Sequence, residues 1–110
     1  MPHIIVETDQ ETAAAGDLPA LAGALHNRLA GMETVNKAAI KTRVLIAEAS
    51  VVGEAETSPC LVITVKLLAG RSPALKEQIA DALIETARPF VIAGSAISAE
   101  IIDLQTYRKT

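Results

Sequence analysis

The chain opens Met1-Pro2-His3-Ile4-Ile5-Val6-Glu7, and the reading of Pro2 in that stretch separates two folds that share one order of elements. Inside an acyl peptide bond, proline nitrogen has no N–H and no basic lone pair. At a terminus exposed by removal of Met1, the same nitrogen is a secondary amine in a rigid ring and accepts a proton. The backbone itself is then a base. The other reading makes Pro2 an ordinary residue at the first position of an edge strand, where no ladder N–H is required. The heptapeptide alone leaves both open.

Composition narrows the setting. At 110 residues the chain is expected to form a single domain, 1–110. Half of the residues are hydrophobic, yet Phe90 and Tyr107 are the only aromatics, so the interior is built from Ala, Val, Ile and Leu. A domain of this size buries only about two-thirds of its unfolded surface by itself, which suggests a partner subunit. The net charge of -3 and the absence of a basic run argue against a nucleic-acid surface. Cys60 stands alone, so neither a disulfide framework nor a cysteine-rich metal site is expected. No charged n-region precedes an apolar run, and no stretch reaches the ~18 apolar residues of a spanning helix. The expectation is a soluble cytoplasmic protein with no membrane partner.

Moving outward, Ile4, Ile5 and Val6 suit a buried strand, and Thr8 to Gly16 reads as a loop. Asp17 is a fitting N-cap, Pro19 is tolerated in a first turn, and Leu18, Leu21, Leu25 and Leu29 recur at helical spacing before Gly31. Ala39 to Val52 reads as a strand apolar on both faces and therefore covered on both. Gly53 to Pro59 has hairpin composition. Cys60 to Leu68 is a further strand. Ser72-Pro73 starts a helix carrying Leu75, Ile79, Leu83 and Ala87, and Pro89 ends it. Phe90 to Ala96 reads as a short helical turn, and Ile97 to Leu104 as the last strand.

The result is an α+β chain of two βαβ units, residues 2–52 and 60–104, forming a four-stranded mixed sheet with two helices on one face. The opposite face, read as aliphatic, has nothing left in the chain to cover it, so a closed oligomer is expected. A ferredoxin-like domain has the same order of elements. Topology also predicts proximity: Pro2, the strand start at Lys41 to Arg43, and the turn Ala69-Gly70-Arg71 meet at one end of the sheet. Lys41 and Arg43 share a strand face, and Arg71 precedes a helix N-terminus. Cations and partial burial both disfavour protonation of the amine, leaving a base usable near neutral pH, while guanidinium groups bind carboxylates bidentately.

Four segments, Met1 to Glu7, Asp17-Leu18-Pro19, Ile40-Lys41-Thr42-Arg43-Val44 and Gly70-Arg71-Ser72, resemble those of the 5-carboxymethyl-2-hydroxymuconate isomerase family of the tautomerase superfamily, and the likeness covers almost the whole chain. It implies a homotrimeric isomerase. Pro2 is its catalytic base, Arg71 and Arg43 with Lys41 bind the carboxylates of a small polycarboxylate dienol, and neither metal nor organic cofactor takes part. The chain departs from that pattern at Lys41, where a second arginine is expected, in the lack of aromatic residues between Leu45 and Val52, and in a short C-terminus. Alternatives are another tautomerase-superfamily activity on a 2-oxo acid (phenylpyruvate-type tautomerase, hydratase or decarboxylase) and a non-catalytic ferredoxin-like ligand-binding module. His3 is read as a packed or subunit-contact residue, Glu7 and Glu48 as rim residues, and Cys60 as a small buried hydrophobe. Asp103 and Tyr107, near the last strand, are candidates to line a pocket at a subunit boundary, though nothing in their spacing requires it.

Overall fold

Side chains of one parity decide where the core forms. Ile4 and Val6 of the first strand, and Leu61, Ile63, Val65 and Leu67 of the third, are fully buried or nearly so against Leu21, Leu25, Leu29, Ile79 and Leu83 of two helices. Each such side chain contributes about 1.5–3 kcal/mol by leaving water. The computed structural model describes residues 2–54 and 59–110. Its elements are β1 (His3–Thr8), α1 (Gln10–Ala15), α2 (Leu18–Ala30), β2 (Lys41–Ile46), β3 (Cys60–Leu68), α3 (Pro73–Ala87) and β4 (Ala96–Leu104), with 3-10 turns at Lys37–Ala39 and Arg88–Phe90.

The sheet order is β2-β1-β3-β4. β1 runs parallel to β2 and antiparallel to β3, and β3 runs parallel to β4, so two βαβ units lie side by side. The α+β architecture with both long helices on one face is as expected. Caps set the helix bounds: the Asp17 side chain accepts from the Ala20 N–H, and the Ser72 hydroxyl from the Leu75 N–H. His26 meets the Thr42 hydroxyl at 2.8 Å and ties α2 to β2. Lys76 and Asp103 form a 2.8 Å ion pair between α3 and β4. No helix is long and apolar enough to cross a membrane among the described residues.

Four local expectations are corrected. Thr8 to Gly16 is not a plain loop: Asp9 caps α1, and the alanines at 13–15 favour helix. The strand expected over Ala39 to Val52 is confined to Lys41–Ile46, after a 3-10 turn. It lies at the sheet edge, and Leu45 and Ile46 are half exposed instead of covered. The helical turn expected at Phe90 to Ala96 comes earlier, at Arg88–Phe90. The proposed hairpin link does not join neighbours, because β1 lies between β2 and β3. Residues 55–58 of that link lie outside the described residues, as does Met1.

What anchors the link is the far end of β1. Ala47 N–H donates to the Thr8 carbonyl at 2.7 Å, and the Thr8 hydroxyl donates to the Cys60 carbonyl at 2.8 Å. The Asp9 carboxylate, 7% exposed, accepts from the Thr12 N–H through Oδ1 and from the Cys60 N–H through Oδ2, each at 2.7 Å. One side chain therefore caps α1 and holds the start of β3.

Burial alone raises the Asp9 pKa, but the N–H groups of Thr12 and Cys60 outweigh it and the net shift is downward from 3.8. Asp9→Asn, which turns one acceptor into a donor, should cost about 2 kcal/mol in urea unfolding near pH 7. A depressed carboxyl stabilises the fold above its unfolded pKa and loses that contribution as pH falls through the folded value. The gap between wild type and variant should therefore narrow as pH falls below 3.8, and a gap that stays constant down to the acid transition contradicts the assignment.

Candidate active site

The strand registers lay out the sheet face turned away from the helices. Lys41, His3, Lys66 and Ile102 form one row across the four strands, Arg43, Ile5, Thr64 and Glu100 the next, and Leu45, Glu7, Val62 and Ser98 a third. The face expected to be aliphatic is thus mixed, with cations and an imidazole gathered at the end where β1 begins. The reason is local: Lys41, Arg43 and Lys66 occupy alternate positions of otherwise apolar strands.

Pro2 is buried at that end, and its carbonyl accepts from the Lys41 N–H at 2.9 Å. Lys41 and Arg43 both stand on the His3 face, and Arg43 Nη1 lies 3.4 Å from His3 Nδ1. The other ring nitrogen of His3, Nε2, lies 3.1 Å from the Tyr107 hydroxyl, with the two rings edge to face at 5.8 Å. Arginine can only donate, so Nδ1 is the acceptor, the imidazole is neutral, and Nε2–H donates to Tyr107.

Arg71 reaches the same sheet end by a different route. Gly70, at φ +125°, adopts a conformation that favours glycine and turns the chain from β3 toward α3. The Arg71 guanidinium then donates to the Leu68 carbonyl at 3.2 Å and the Thr34 carbonyl at 2.7 Å, while its Nε is buried with no partner among the described residues. The backbone thus gathers Pro2, Lys41, Arg43 and Arg71 at one end. Their side chains divide, Lys41 and Arg43 turning to His3 and Arg71 to the α2–β2 loop.

His3, read from sequence as a packed or subunit-contact residue, and Tyr107, read as a candidate pocket residue, are joined to the cluster by the structure. The signal for His3 was register, since it is paired with Lys41 on the same face; Tyr107 had none short of the tertiary fold. Lys41, Tyr107, Arg108, Lys109 and Thr110 line a cleft of about 710 Å³ beside this cluster. Burial, followed by the charges of Arg43, Lys41 and Lys66, holds the His3 pKa below 6.5. A group that resists protonation amid cations marks an environment suited to anions and to neutral bases. Glu7 sits exposed on the same face, Cys60 is a half-buried free thiol, and no cluster of three or more His, Cys, Asp or Glu is placed to hold a metal among the described residues.

The family model for 5-carboxymethyl-2-hydroxymuconate isomerase matches residues 2–105. The fold is similar to that of a 5-carboxymethyl-2-hydroxymuconate isomerase from Deinococcus radiodurans R1, at TM-score 0.81 and 22% identity, covering 98% of this chain and 88% of that one. A crystal structure of a 5-carboxymethyl-2-hydroxymuconate delta-isomerase superposes at TM-score 0.80 with 12% identity, covering 100% and 88% of the two chains. A structure described as a fused 4-OT wild type symmetric trimer gives TM-score 0.73 and 19% identity, covering 93% and 85%. Among curated proteins, no sequence relative matches the chain.

The electrostatic reading has a direct check. In an NMR titration the His3 ring should show a midpoint below 6.5, and Arg43→Gln should move that midpoint upward. A wild-type midpoint at or above the ordinary value, unmoved by the substitution, removes the cationic environment from the account.

Proposed function

The chain belongs to the 5-carboxymethyl-2-hydroxymuconate isomerase family, and from that premise we propose that it moves a proton between oxygen and carbon of a 2-hydroxymuconate-type dienol. Pro2, with Met1 removed, is the base. Its nitrogen takes the proton of the 2-hydroxyl group as that oxygen becomes a carbonyl. The electron pair passes along the conjugated chain to carbon, and the protonated proline returns the proton there. Nothing is oxidised or consumed, and the conjugated 2-oxo acid itself spreads the charge, so the reaction calls for neither metal nor organic cofactor.

The observation that carries this reading is the placement of Pro2 against Lys41 at a sheet end that also holds Arg43 and the Arg71 turn. In this reading Lys41 and Arg43 on the His3 face, and Arg71 turned toward the α2–β2 loop, each bring positive charge to the same sheet end for the substrate carboxylates and the developing enolate. Arg71 already spends two donors on backbone carbonyls, so it serves by its charge and by its remaining N–H groups. The same cations lower the affinity of the proline nitrogen for a proton.

The assembly we infer is a homotrimer. Among the described residues nothing covers one sheet face or the β2 edge, with Val51 70% exposed beyond Ile46 at 51%. A relative of the same fold is described as a symmetric trimer. The family suggests a role in the breakdown of aromatic acids, and we take the setting to be the cytoplasm.

Intact mass should show loss of Met1 in the active protein, and Pro2→Ala should lower kcat on a dienol dicarboxylate by about 100-fold or more. An active protein that keeps Met1, or a Pro2→Ala form with unchanged kcat, removes Pro2 from the chemistry.

A further inference from the structure

We infer that the segment following β4 completes a carboxylate subsite, in which Arg108 and Lys109 join Lys41 to bind a carboxylate of a di- or tricarboxylate ligand. The ligand class rests on the reading of the preceding subsection; the subsite rests on geometry of its own. β4 ends at Leu104, opposite Leu68, and so leaves the sheet at the end where β1 begins. From there to Lys41 on the far edge the chain crosses three strand spacings, about 14 Å, within reach of the six residues 105–110. Tyr107 marks the path, because its hydroxyl and ring are held by His3 on β1, 104 residues earlier.

Past that anchor, Arg108 and Lys109 line a single cleft with Lys41. Among the described residues no acidic side chain lines the cleft, although the chain as a whole is negative by three charges. All three cations are exposed, so the cleft presents positive charge to an incoming anion. Chemistry also assigns the tail a distinct part. Lys41 is a point charge without the planar fork that grips a carboxylate through two parallel hydrogen bonds, and Arg108 brings that fork to the same cleft. The neutral state of His3 serves the arrangement, since it lets Arg43 and Tyr107 be held by opposite nitrogens of one ring.

The probe is propane-1,2,3-tricarboxylate, which cannot turn over, titrated into the full chain by calorimetry and followed by the Tyr107 and His3 ring resonances. Saturable binding should shift both rings. Arg108→Ala should weaken Kd about tenfold, Arg108→Lys less, and Tyr107→Phe, which frees the segment while keeping every charge, by a few fold. Circular dichroism checks that each variant is folded. A Kd indifferent to Arg108, or shifts centred away from Tyr107, overturns the subsite. Probe binding of the expected kind without any dienol turnover counts against the proposed reaction and leaves the subsite standing; turnover with a Kd indifferent to Arg108 does the reverse.

Discussion

The double pairing of β1 is the constraint on which the rest depends. His3–Thr8 is paired along its length on both sides, parallel to β2 and antiparallel to β3. A slip of one residue would turn Ile4 and Val6 out of the core and His3 into it. Because Ile4 and Val6 are fully buried, the register is held by the hydrophobic effect, and the same register fixes His3 opposite both Lys41 and Lys66. Packing on one face therefore dictates electrostatics on the other.

That division of labour runs through the molecule. The helix-side face is dry and aliphatic, carrying most of the burial that stabilises the chain. The open face carries cations, an imidazole and a phenol at one end, and apolar residues such as Leu45 and Val62 further along. At the opposite end of β1, Asp9 fastens α1 and β3 through two short N–H bonds, so the strand is held at the end where no charge needs to converge. A rigid strand with a polar cluster at its start is the arrangement an N-terminal base requires, because such a base has no side-chain rotamer to aim and is placed only by the backbone.

Much of this was legible in the sequence where the cause is local. The bounds of α2 follow from Asp17, Pro19, the leucine spacing and Gly31; those of α3 follow from Ser72-Pro73 and Pro89; β3 follows from the β-branched run beginning at Cys60. The convergence of Pro2, Lys41 to Arg43 and the Arg71 turn followed from strand directions alone. What stayed hidden depends on partners far along the chain. Asp9 reads as a loop residue until Cys60 is beside it, and the insertion of β1 between β2 and β3 is a pairing choice that periodicity does not encode. The role of Arg71 shows a further limit: topology put it at the correct sheet end, but the direction of its guanidinium is set by the carbonyls of Leu68 and Thr34. The contact between His3 and Tyr107, 104 residues apart, is of the same kind.

The central proposal is that the strand register delivers a proline amine into a cationic corner where it holds its proton weakly. Its most direct measurement is a nitrogen-15 NMR titration of the Pro2 imino group in the mature chain. The account predicts a single transition well below the ~8 of an ordinary terminal amine. A midpoint at or above that value, or a nitrogen that does not titrate because it remains acylated, would contradict it.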